Sequence, residues 1–532
     1  MSALQPLTAH DLSTSYGDRV VLSGLDIRAG LGQPVGVVGE NGVGKSTLLR
    51  LLAGVEQPDS GSVKRPSDLG YLAQELTYPG RATVAEVLSD ALAPLHDAVR
   101  RLEALAHDLT DETDSATATT YAELLEWAQH HEAWDADRRA EEAAARLGLE
   151  SIEPDRPVHE LSGGERTRLS MAALITRRPE CVVVDEPTNH LDDGAIEFLE
   201  SFLLQLPGVV VVASHDRVLL DRVCAVVVDL DASHFGTDGA GGNRFSGGFS
   251  TYLAHKRAAR QRWERAFRDQ QDELNALRSA VRTTARQVGH GRRPPRDNDK
   301  HIAKGKVALV QTAVARRVRN AEQRIAALER ELVPKPPAEL SFDRRLTTDG
   351  GAGVFLRDLE VAGRLRLPRL DVADGEHLLV TGANGSGKST LLALLAGDIA
   401  ADAGTVRVSA RAVGLLRQDV IFADPALPPH QVYDDATGSP VPLGELGLLH
   451  PRDLGRPSGV LSVGQQRRLA LAILVAQQPD LLLLDEPTNH ISLSLASELE
   501  DALGRSPGTV ILASHDRWLR RHWAGRSTQL HS

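Results

Sequence analysis

The chain has 532 residues, of which 42% are hydrophobic and 25% charged, and its formal net charge is −12 at pH 7. That length exceeds what one hydrophobic core supports, so two or more domains are expected in an otherwise ordinary globular protein. No apolar run approaches the roughly 18 residues that cross a bilayer, and the start, MSALQPLTAHD, lacks the basic and apolar regions of a secretion signal. We therefore expect a cytoplasmic protein without a membrane domain.

The first motif in the chain is a glycine-rich loop between a strand and a helix. GENGVGKST at 39–47 follows the apolar run 35–38 and precedes the apolar helical pattern 48–52. In this setting, backbone N–H groups of the loop and the N-terminus of the helix bind phosphate. Lys45 is expected to reach the terminal phosphates of a nucleotide, and Ser46 to supply a Mg²⁺ ligand.

Between this loop and the next motif, two stretches have helical patterns. They are Ala91–Ala106 and Tyr121–Trp134, joined by the polar segment 108–120. This arrangement predicts a short helical arm within 90–133, or alternatively an ordinary helical subdomain.

Three further motifs follow: LSGGE at 161–165, VVVDEPTNHLD at 182–192 and ASHDR at 213–217. Asp185 ends an apolar strand and is expected near the metal ion, with Gln74 completing the shell of metal and water. Glu186 suits a general base that polarises the attacking water. His215 follows a strand and a serine, where its imidazole is expected to contact the γ-phosphate.

A helical linker occupies the middle of the chain. Large apolar residues recur from Trp263 to Val281 with Gln270 in the seam, and a second stripe runs from Val307 to Leu332 at spacings of three and four. Heptad-like stripes on both sides of a loop predict an antiparallel hairpin with arms of roughly 25–35 residues, or about 40–50 Å. The tip is placed at 289–305, where two adjacent prolines interrupt the helical pattern.

The linker carries charge of the opposite sign to the rest of the chain. Residues 253–332 contain 20 Lys and Arg against 9 Asp and Glu. A charge run is often only a solvated face, but arginine pairs with phosphate and stacks on bases, so RNA contact is the favoured interpretation. The cations offered by the tip are Arg292, Arg293, Arg296, Lys300, His301, Lys304 and Lys306.

The second half of the chain repeats the motifs of the first in the same order. The copies are GANGSGKST at 382–390, LSVGQ at 461–465, LLLDEPTNHIS at 482–492 and ASHDR at 513–517, and YLAQE at 71–75, which contains Gln74, has a counterpart in LLRQD at 415–419. The repeat assigns the same roles to the residues Lys388, Ser389, Gln418, Asp485, Glu486 and His515. The first copy holds about 44 additional residues between Gln74 and Leu161.

Together these motifs resemble the ATP-binding cassette superfamily, of which LSGGE is the most specific mark. In that family two cassettes face each other head to tail, and each ATP lies between the P-loop of one and the LSGG-type signature of the other. The resemblance implies that Ser462 and Gly464 complete the first P-loop's site, and that Ser162, Gly163 and Gly164 complete the second's. The P-loop residues implied to bind ATP are Gly39, Glu40, Asn41, Gly42, Val43, Gly44, Lys45, Ser46, Thr47, Gly382, Ala383, Asn384, Gly385, Ser386, Gly387, Lys388, Ser389 and Thr390.

The second cassette departs from the family pattern at three places. Val463 replaces the first signature glycine, and Ile491–Ser492 stands where the first cassette has Leu191–Asp192. Tyr16 offers a ring to stack on adenine, whereas the matching stretch 360–368 has no aromatic residue. We therefore expect two unequal sites, with weaker adenine recognition at the second P-loop.

Two fused cassettes, DEPTNH in both halves and a joining helical segment resemble the ABC-F family, soluble ATPases that act on ribosomes. The resemblance implies an α/β fold of two P-loop ATP-binding cassette domains, 1–245 and 334–532, joined by a helical-hairpin linker at 246–333. In this family the linker is the P-site tRNA-interaction motif, which enters the 70S ribosome through the tRNA exit site. Its tip is then expected to contact 23S rRNA or the P-site tRNA, and the chain to act as a monomer.

Three functions remain open. PPRDNDKH in the tip and RVRNAEQRI at 317–325 resemble self-protection ABC-F proteins of antibiotic-producing actinobacteria. We therefore predict an ATPase that dislodges ribosome-targeting antibiotics with its linker tip and leaves on ATP hydrolysis. The alternatives are a housekeeping ABC-F translation factor and the ATPase subunit of a macrolide-type exporter, which has no use for a long basic hairpin.

Overall fold

The computed structural model describes residues 5–17, 19–40, 42–73, 82–108, 115–189, 191–231, 243–289, 300–336, 346–348, 351–383, 385–449, 451–489, 491 and 493–530. Within these ranges, only the backbone is described at 108, 115, 284–289, 300–314 and 494. These residues form two compact units. One contains the described residues within 1–231, 245–250 and 339–532, and the other contains those within 243–244 and 251–338.

The first half of the larger unit has two sheets flanked by helices. Its antiparallel sheet consists of β1 (Leu7–Tyr16) between β2 (Arg19–Ala29) and β4 (Ser60–Lys64). The other sheet contains β3 (Val35–Val38), β5 (Leu69–Leu72), β6 (Cys181–Asp185), β7 (Val209–Ala213), β8 (Val226–Asp229) and β9 (Arg244–Ser246), in the order β5-β6-β7-β3-β8-β9. The helices are α1 (Lys45–Ala53), α2 (Val84–Asp108), α3 (Ser115–His130), α4 (Ala136–Arg146), α5 (Gly163–Arg177), α6 (Asp193–Gln205) and α7 (Arg217–Val223).

The smaller unit is the predicted antiparallel helical hairpin. It consists of α8 (Phe249–Gly289), whose first two residues belong to the larger unit, and α9 (Lys300–Arg330). Gln270 lies in the seam as predicted, because its amide donates to the carbonyl of Glu331 and accepts from the N–H of Val333, both at 2.8 Å. The first arm has 41 residues, more than predicted, because the helix begins at Phe249, well before Trp263 in the chain.

The second half of the larger unit repeats the first. β10 (Gly353–Val361) lies between β11 (Leu365–Val372) and β13 (Ala403–Ser409), and the parallel sheet contains β12 (His377–Thr381), β14 (Val413–Leu416), β15 (Leu481–Asp485), β16 (Thr509–Ala513) and β17 (Arg526–Gln529), in the order β14-β15-β16-β12-β17. The helices are α10 (Lys388–Leu395), α11 (Pro429–Thr437), α12 (Val463–Gln477), α13 (Leu493–Gly504) and α14 (Arg517–His522). The two P-loop halves are thus joined by a hairpin, and the predicted α/β fold class is confirmed.

Strand order explains why the sequence motifs meet in space. β6, β7 and β3 are parallel neighbours, with Asp185 opposite Ala213 and Ala213 opposite Val37. The carboxyl ends of these strands therefore lie at one edge, where ligands bind in open α/β sheets. Every residue of β6 and β7 is buried, since their valine-rich sequences are covered on both faces. β15, β16 and β12 repeat the arrangement.

The helical segment of the first half is longer than predicted. α2 extends beyond the predicted Ala91–Ala106 at both ends, and α3 begins before the predicted start at Tyr121. Trp134 lies in a separate 3₁₀ turn, however, so the predicted end of the second helix is wrong. Leu95 and Ala128 are fully buried in a small core shared by these helices. Buried His131 forms a 2.7 Å hydrogen bond through Nε2 with Asp68, the residue before β5, and so connects the helical segment to the sheet.

Two buried arginines cross between the halves of the larger unit. Arg217 begins α7 and Arg517 begins α14, and their side chains are 1% and 7% exposed. Each binds two carboxylates of the opposite half: Glu500 and Asp516 for Arg217, and Glu200 and Asp216 for Arg517. We call this set the crossed arginine pairs. It relates the two halves reciprocally through the repeated ASHDR motif.

Candidate active site

Both P-loops require glycine where α1 and α10 begin. Gly44 and Gly387 have φ of 117° and 90°, a region that L side chains rarely adopt. A Cβ on Gly387 would also lie 2.6 Å from the carbonyl oxygen of Arg364. The loops therefore keep their backbone N–H groups free of side chains at the helix N-termini, as phosphate binding needs.

The side chains of the two predicted phosphate-binding lysines form hydrogen bonds with their own P-loops. Lys45 Nζ donates to the carbonyl of Gly39 at 2.9 Å, and Lys388 Nζ donates to that of Gly382 at 2.8 Å. Burial lowers the pKa of Lys45, and the carboxylate of Glu186 opposes that effect most strongly. Both ammonium groups thus lie within the loop, where a bound polyphosphate would be enclosed.

Two of the predicted metal ligands, the aspartate and the serine, meet in each half. Asp185 and Asp485 are 3% and 4% exposed, and each accepts a side-chain hydrogen bond, from Ser46 and from Ser389 respectively. Burial raises the pKa of each carboxyl, and the serine bond opposes it. Among the described residues, Oδ1 of each aspartate has no hydrogen-bond partner. A buried carboxylate oxygen beside a hydroxyl fits Mg²⁺, which completes its shell with water and nucleotide phosphate.

The predicted base and histidine are brought together in both halves, with different geometry. Glu186 Oε1 lies 3.4 Å from His215 Nε2, and its Oε2 accepts from the backbone N–H of His215 at 3.0 Å. Glu486 Oε1 lies only 2.7 Å from His515 Nδ1, and its Oε2 accepts from Ser514 Oγ at 3.2 Å. The second pair is therefore tighter, and it uses the other ring nitrogen.

Glu186 and Glu486 share an unusual backbone that the sequence did not reveal. Their φ angles are 48° and 47°, in the left-handed region. Each N–H donates across the sheet, to the carbonyl of Ala213 at 2.8 Å and of Ala513 at 2.9 Å. A non-glycine residue held there stores on the order of 1–3 kcal/mol, and such residues cluster at functional sites.

The titration of these groups also differs between the halves. Burial raises the pKa of Glu186 to about 8, although Lys45 and the N–H of His215 lower it. In the second half, the hydrogen bond to Glu486 raises the pKa of His515, against the effect of burial. A raised carboxyl pKa near neutrality is typical of a group prepared for proton transfer.

Both signature serines are helix N-caps. Ser162 Oγ accepts from the N–H of Glu165 at 3.2 Å, and Ser462 Oγ accepts from that of Gln465 at 3.3 Å, each within a complete capping box. The caps place the positive ends of α5 and α12 at the signatures. Val463 does not disturb this geometry, because its side chain is 59% exposed.

Other predicted residues are only partly placed by the structure. Tyr16 is 49% exposed, and its hydroxyl bonds Glu56 Oε2 at 2.5 Å. Gln418 has an exposed side chain, and its carbonyl accepts from Arg467 at 3.0 Å. Gln74, Asn41, Asn384, Arg292, Arg293 and Arg296 lie outside the described residues, and only the backbone is described at Lys300, His301, Lys304 and Lys306.

Besides the left-handed backbone of the two glutamates, two further features of the site escaped sequence reasoning. One is the set of crossed arginine pairs, whose arginines, Arg217 and Arg517, are the last residues of the two ASHDR motifs. The other is Arg467, a buried residue in α12 whose guanidinium contacts the carbonyls of Asp485 and Glu486. The repeat offered a signal for Arg467, because the first half has Thr167 at the matching position.

Comparison with known proteins supports the repeat. The family model described as ABC transporter matches the chain twice, at residues 22–189 and 365–489. The tylosin resistance ATP-binding protein TlrC of Streptomyces fradiae is 40% identical over 98% of this chain and 97% of its own length. The chain belongs to the ABC-F family of ATP-binding cassette proteins.

Other relatives extend this picture. The energy-dependent translational throttle protein EttA of Mycobacterium tuberculosis is 30% identical to this ABC-F protein, over 96% of the chain and 88% of the relative. The archaeal ribosome recycling factor aABCE1 has a TM-score of 0.57 at 20% identity, covering 95% of this chain and 84% of that structure, which shows a common fold. The ABC-F chain is an ATPase, and no helix in its described part is long and apolar enough to span a membrane.

Proposed function

We propose that this ABC-F protein binds the ribosome and protects translation from ribosome-targeting antibiotics. The observation that carries the proposal is the 40% identity to the tylosin resistance protein, which extends over nearly the full length of both chains. The similarity thus includes the basic hairpin as well as the cassettes. Residues 253–332 of the hairpin combine 20 Lys and Arg with 9 Asp and Glu, as expected of an RNA-binding element in an otherwise acidic chain.

ATP binding falls to the two P-loops and the opposed signatures. Lys45 and Lys388 hold the phosphates, and the capped helix ends at Ser162 and Ser462 complete the sites from the opposite cassette. Asp185 with Ser46, and Asp485 with Ser389, would hold Mg²⁺, which would neutralise charge at the phosphates. The support is the pair of buried aspartate oxygens that lack a hydrogen-bond partner among the described residues.

Glu186 and Glu486 act as the general bases that orient and deprotonate the attacking water. His215 and His515 contact the γ-phosphate and fix the carboxylates. The distances between the paired side chains, 3.4 Å in the first half and 2.7 Å in the second, support this assignment. They also support two sites of unequal activity.

The hairpin is the part that acts on the ribosome. ATP closes the cassettes, the closed protein occupies the tRNA exit site in the cytoplasm, and the tip 289–305 displaces the P-site tRNA end or nearby 23S rRNA, so that the drug dissociates. Hydrolysis reopens the cassettes and releases the protein. The tip cations Arg292, Arg293 and Arg296 make the RNA contacts in this scheme.

A second function is favoured by a separate observation. EttA is 30% identical over 96% of this chain, and its name describes an energy-dependent translational throttle. By that analogy this protein would regulate translation without regard to drugs. The two functions share the ribosome and ATP, and differ in whether a drug has to be present for the protein to benefit the cell.

Deletion of residues 290–304 tests the proposal. We expect a sensitive host that expresses the full chain to grow at higher tylosin concentration, and the deletion variant to lose that protection while the purified protein keeps its basal ATPase activity. A variant with the tip replaced by an equally long Gly-Ser segment serves as the length control. Unchanged protection by the deletion variant would remove the tip from the mechanism, and no protection by the full chain against any ribosomal antibiotic would favour the translation factor.

A further inference from the structure

We propose that Arg467 is a positioning residue of the second catalytic centre, where it holds the backbone that presents Glu486 to the attacking water. The proposal rests on the proposed role of Glu486 as a base. Arg467 lies in the second turn of α12, three residues beyond the signature glycine Gly464, and is 1% exposed.

The guanidinium of Arg467 joins three segments of the second cassette. Nη2 donates to the carbonyl of Asp485 at 2.6 Å and to that of Glu486 at 2.5 Å, and Nη1 donates to the carbonyl of Gln418 at 3.0 Å. The two carbonyls bound by Nη2 flank the left-handed φ of Glu486. Arg467 therefore fixes the peptide units on both sides of the strained residue.

Among the described residues of the first cassette, the matching position makes a different contact. Thr167 matches Arg467 in the repeat, and its hydroxyl donates to the carbonyl of Gly163 within its own helix at 3.1 Å. Glu186 has the same left-handed backbone as Glu486 with only a threonine at that place. The hydrogen bonds of Arg467 are thus specific to the second centre, and the left-handed backbone that the two halves share does not require them.

Charge complements the hydrogen bonds. Burial lowers the pKa of Arg467, whereas the carboxylates of Asp485 and Glu486 raise it. A buried cation that donates to three carbonyls beside two carboxylates stabilises one arrangement of the site, because movement of the Glu486 backbone would break the hydrogen bonds to the carbonyls of Asp485 and Glu486.

Replacement of Arg467 by threonine, the residue of the first cassette, tests the inference in two backgrounds. In Glu186→Gln protein, where only the second base remains, we expect Arg467→Thr to lower kcat at least tenfold while KM for ATP changes by less than twofold. In Glu486→Gln protein, where only the first base remains, the same change should alter kcat by less than twofold, because the Ser462 cap has its own capping box. ATP hydrolysis is measured on the full chain without ribosomes.

Two further variants separate positioning from folding. Arg467→Lys keeps the charge but not the planar fork, so in the Glu186→Gln background we expect kcat between those of arginine and threonine. Thr167→Ala in the Glu486→Gln background is the matched control and should leave kcat within twofold. Equal loss in both backgrounds, or no loss in the Glu186→Gln background, would overturn the positioning role. Hydrolysis by the Glu186→Gln, Glu486→Gln double variant would instead remove the proposed bases.

Discussion

At the scale of single residues, Glu186 and Glu486 share one backbone conformation but have different surroundings. Burial raises the pKa of Glu186 to about 8, with the histidine ring 3.4 Å away. Glu486 forms a 2.7 Å bond to His515 and has Arg467 behind its peptide. The sequence predicted unequal sites from Val463 and Tyr16, whereas the structure adds a difference in the surroundings of the two proposed bases.

The raised pKa of Glu186 predicts a pH-dependent stability. The folded pKa, about 8, lies above the ordinary value of 4.5, so folding favours the protonated acid. This contribution is fully present below the unfolded pKa and is lost as pH rises through the folded pKa. Because glutamine cannot ionise, we expect the Tm of Glu186→Gln protein to exceed that of the wild type by a margin that grows between about pH 5 and pH 8.

Thermal unfolding across this pH range, without nucleotide, measures the effect. The matched control is Glu142→Gln, which changes a glutamate on the exposed side of α4 with 45% of its side chain accessible. Its Tm difference from the wild type should stay constant with pH. A constant difference for Glu186→Gln as well would contradict the burial of an ionisable Glu186.

Sequence reasoning found the motif residues and missed those that act through the fold. Lys45, Asp185 and Ser162 belong to local patterns whose spacing fixes their chemistry. The hydrogen bonds of Arg467 and the left-handed φ of Glu486 depend on the fold, which brings Arg467 of α12 to the carbonyls of Asp485 and Glu486, residues that no local pattern links to it. Comparison of the two copies was the only sequence signal available, through the mismatch with Thr167.

At the scale of elements, the crossed arginine pairs join the two cassettes through the starts of α7 and α14. Arg217 is 1% exposed, and its main partner Glu500 is 19% exposed. Burial raises the pKa of Glu500, and the bond from Arg217 opposes that shift. Because Arg217 lies two residues after His215, the histidine loop of one cassette is fixed to the other.

Removal of one partner of this pair should be strongly destabilising. Arg217→Met leaves the Glu500 carboxylate without its main cation, which typically costs about 3 kcal/mol, so we expect the Tm to fall by several degrees. Arg217→Met with Glu500→Leu should recover part of the loss, since the Glu500 charge is gone and Asp516 still accepts hydrogen bonds from the N–H groups of Trp518 and Leu519. Arg100→Met, which breaks an exposed pair with Asp97, is the control and should change the Tm by less than one degree. Equal Tm values for Arg217→Met and Arg100→Met would contradict a stabilising role.

At the same scale, the apolar periodicity of the sequence predicted part of the hairpin structure. Its two stripes predicted the antiparallel pairing and the place of Gln270 in the seam. Arg278 with Glu329 and Arg324 with Glu273, both at 2.8 Å, add ion pairs between the arms. The extra length of α8 was not predicted, because the turns before Trp263 carry no matching stripe in α9.

At the scale of the whole molecule, the chain combines two bodies of opposite charge. Its net charge is −12, yet residues 253–332 contain 20 Lys and Arg against 9 Asp and Glu. The acidic larger unit contains both P-loops, and the basic smaller unit is a hairpin without one. Such a division of charge suits a protein in which ATP controls when a single element contacts RNA.

Co-sedimentation with 70S ribosomes tests most directly whether ATP controls ribosome binding. Because Glu186 and Glu486 are the proposed bases, we expect the Glu186→Gln, Glu486→Gln double variant to bind ATP without hydrolysing it, to stay closed, and to sediment with the ribosomes in ATP but not in ADP. The wild type should sediment with them only transiently, because hydrolysis releases it. Recovery of the double variant in the ribosome-free fraction, with ATP present, would contradict a ribosome-acting ATPase.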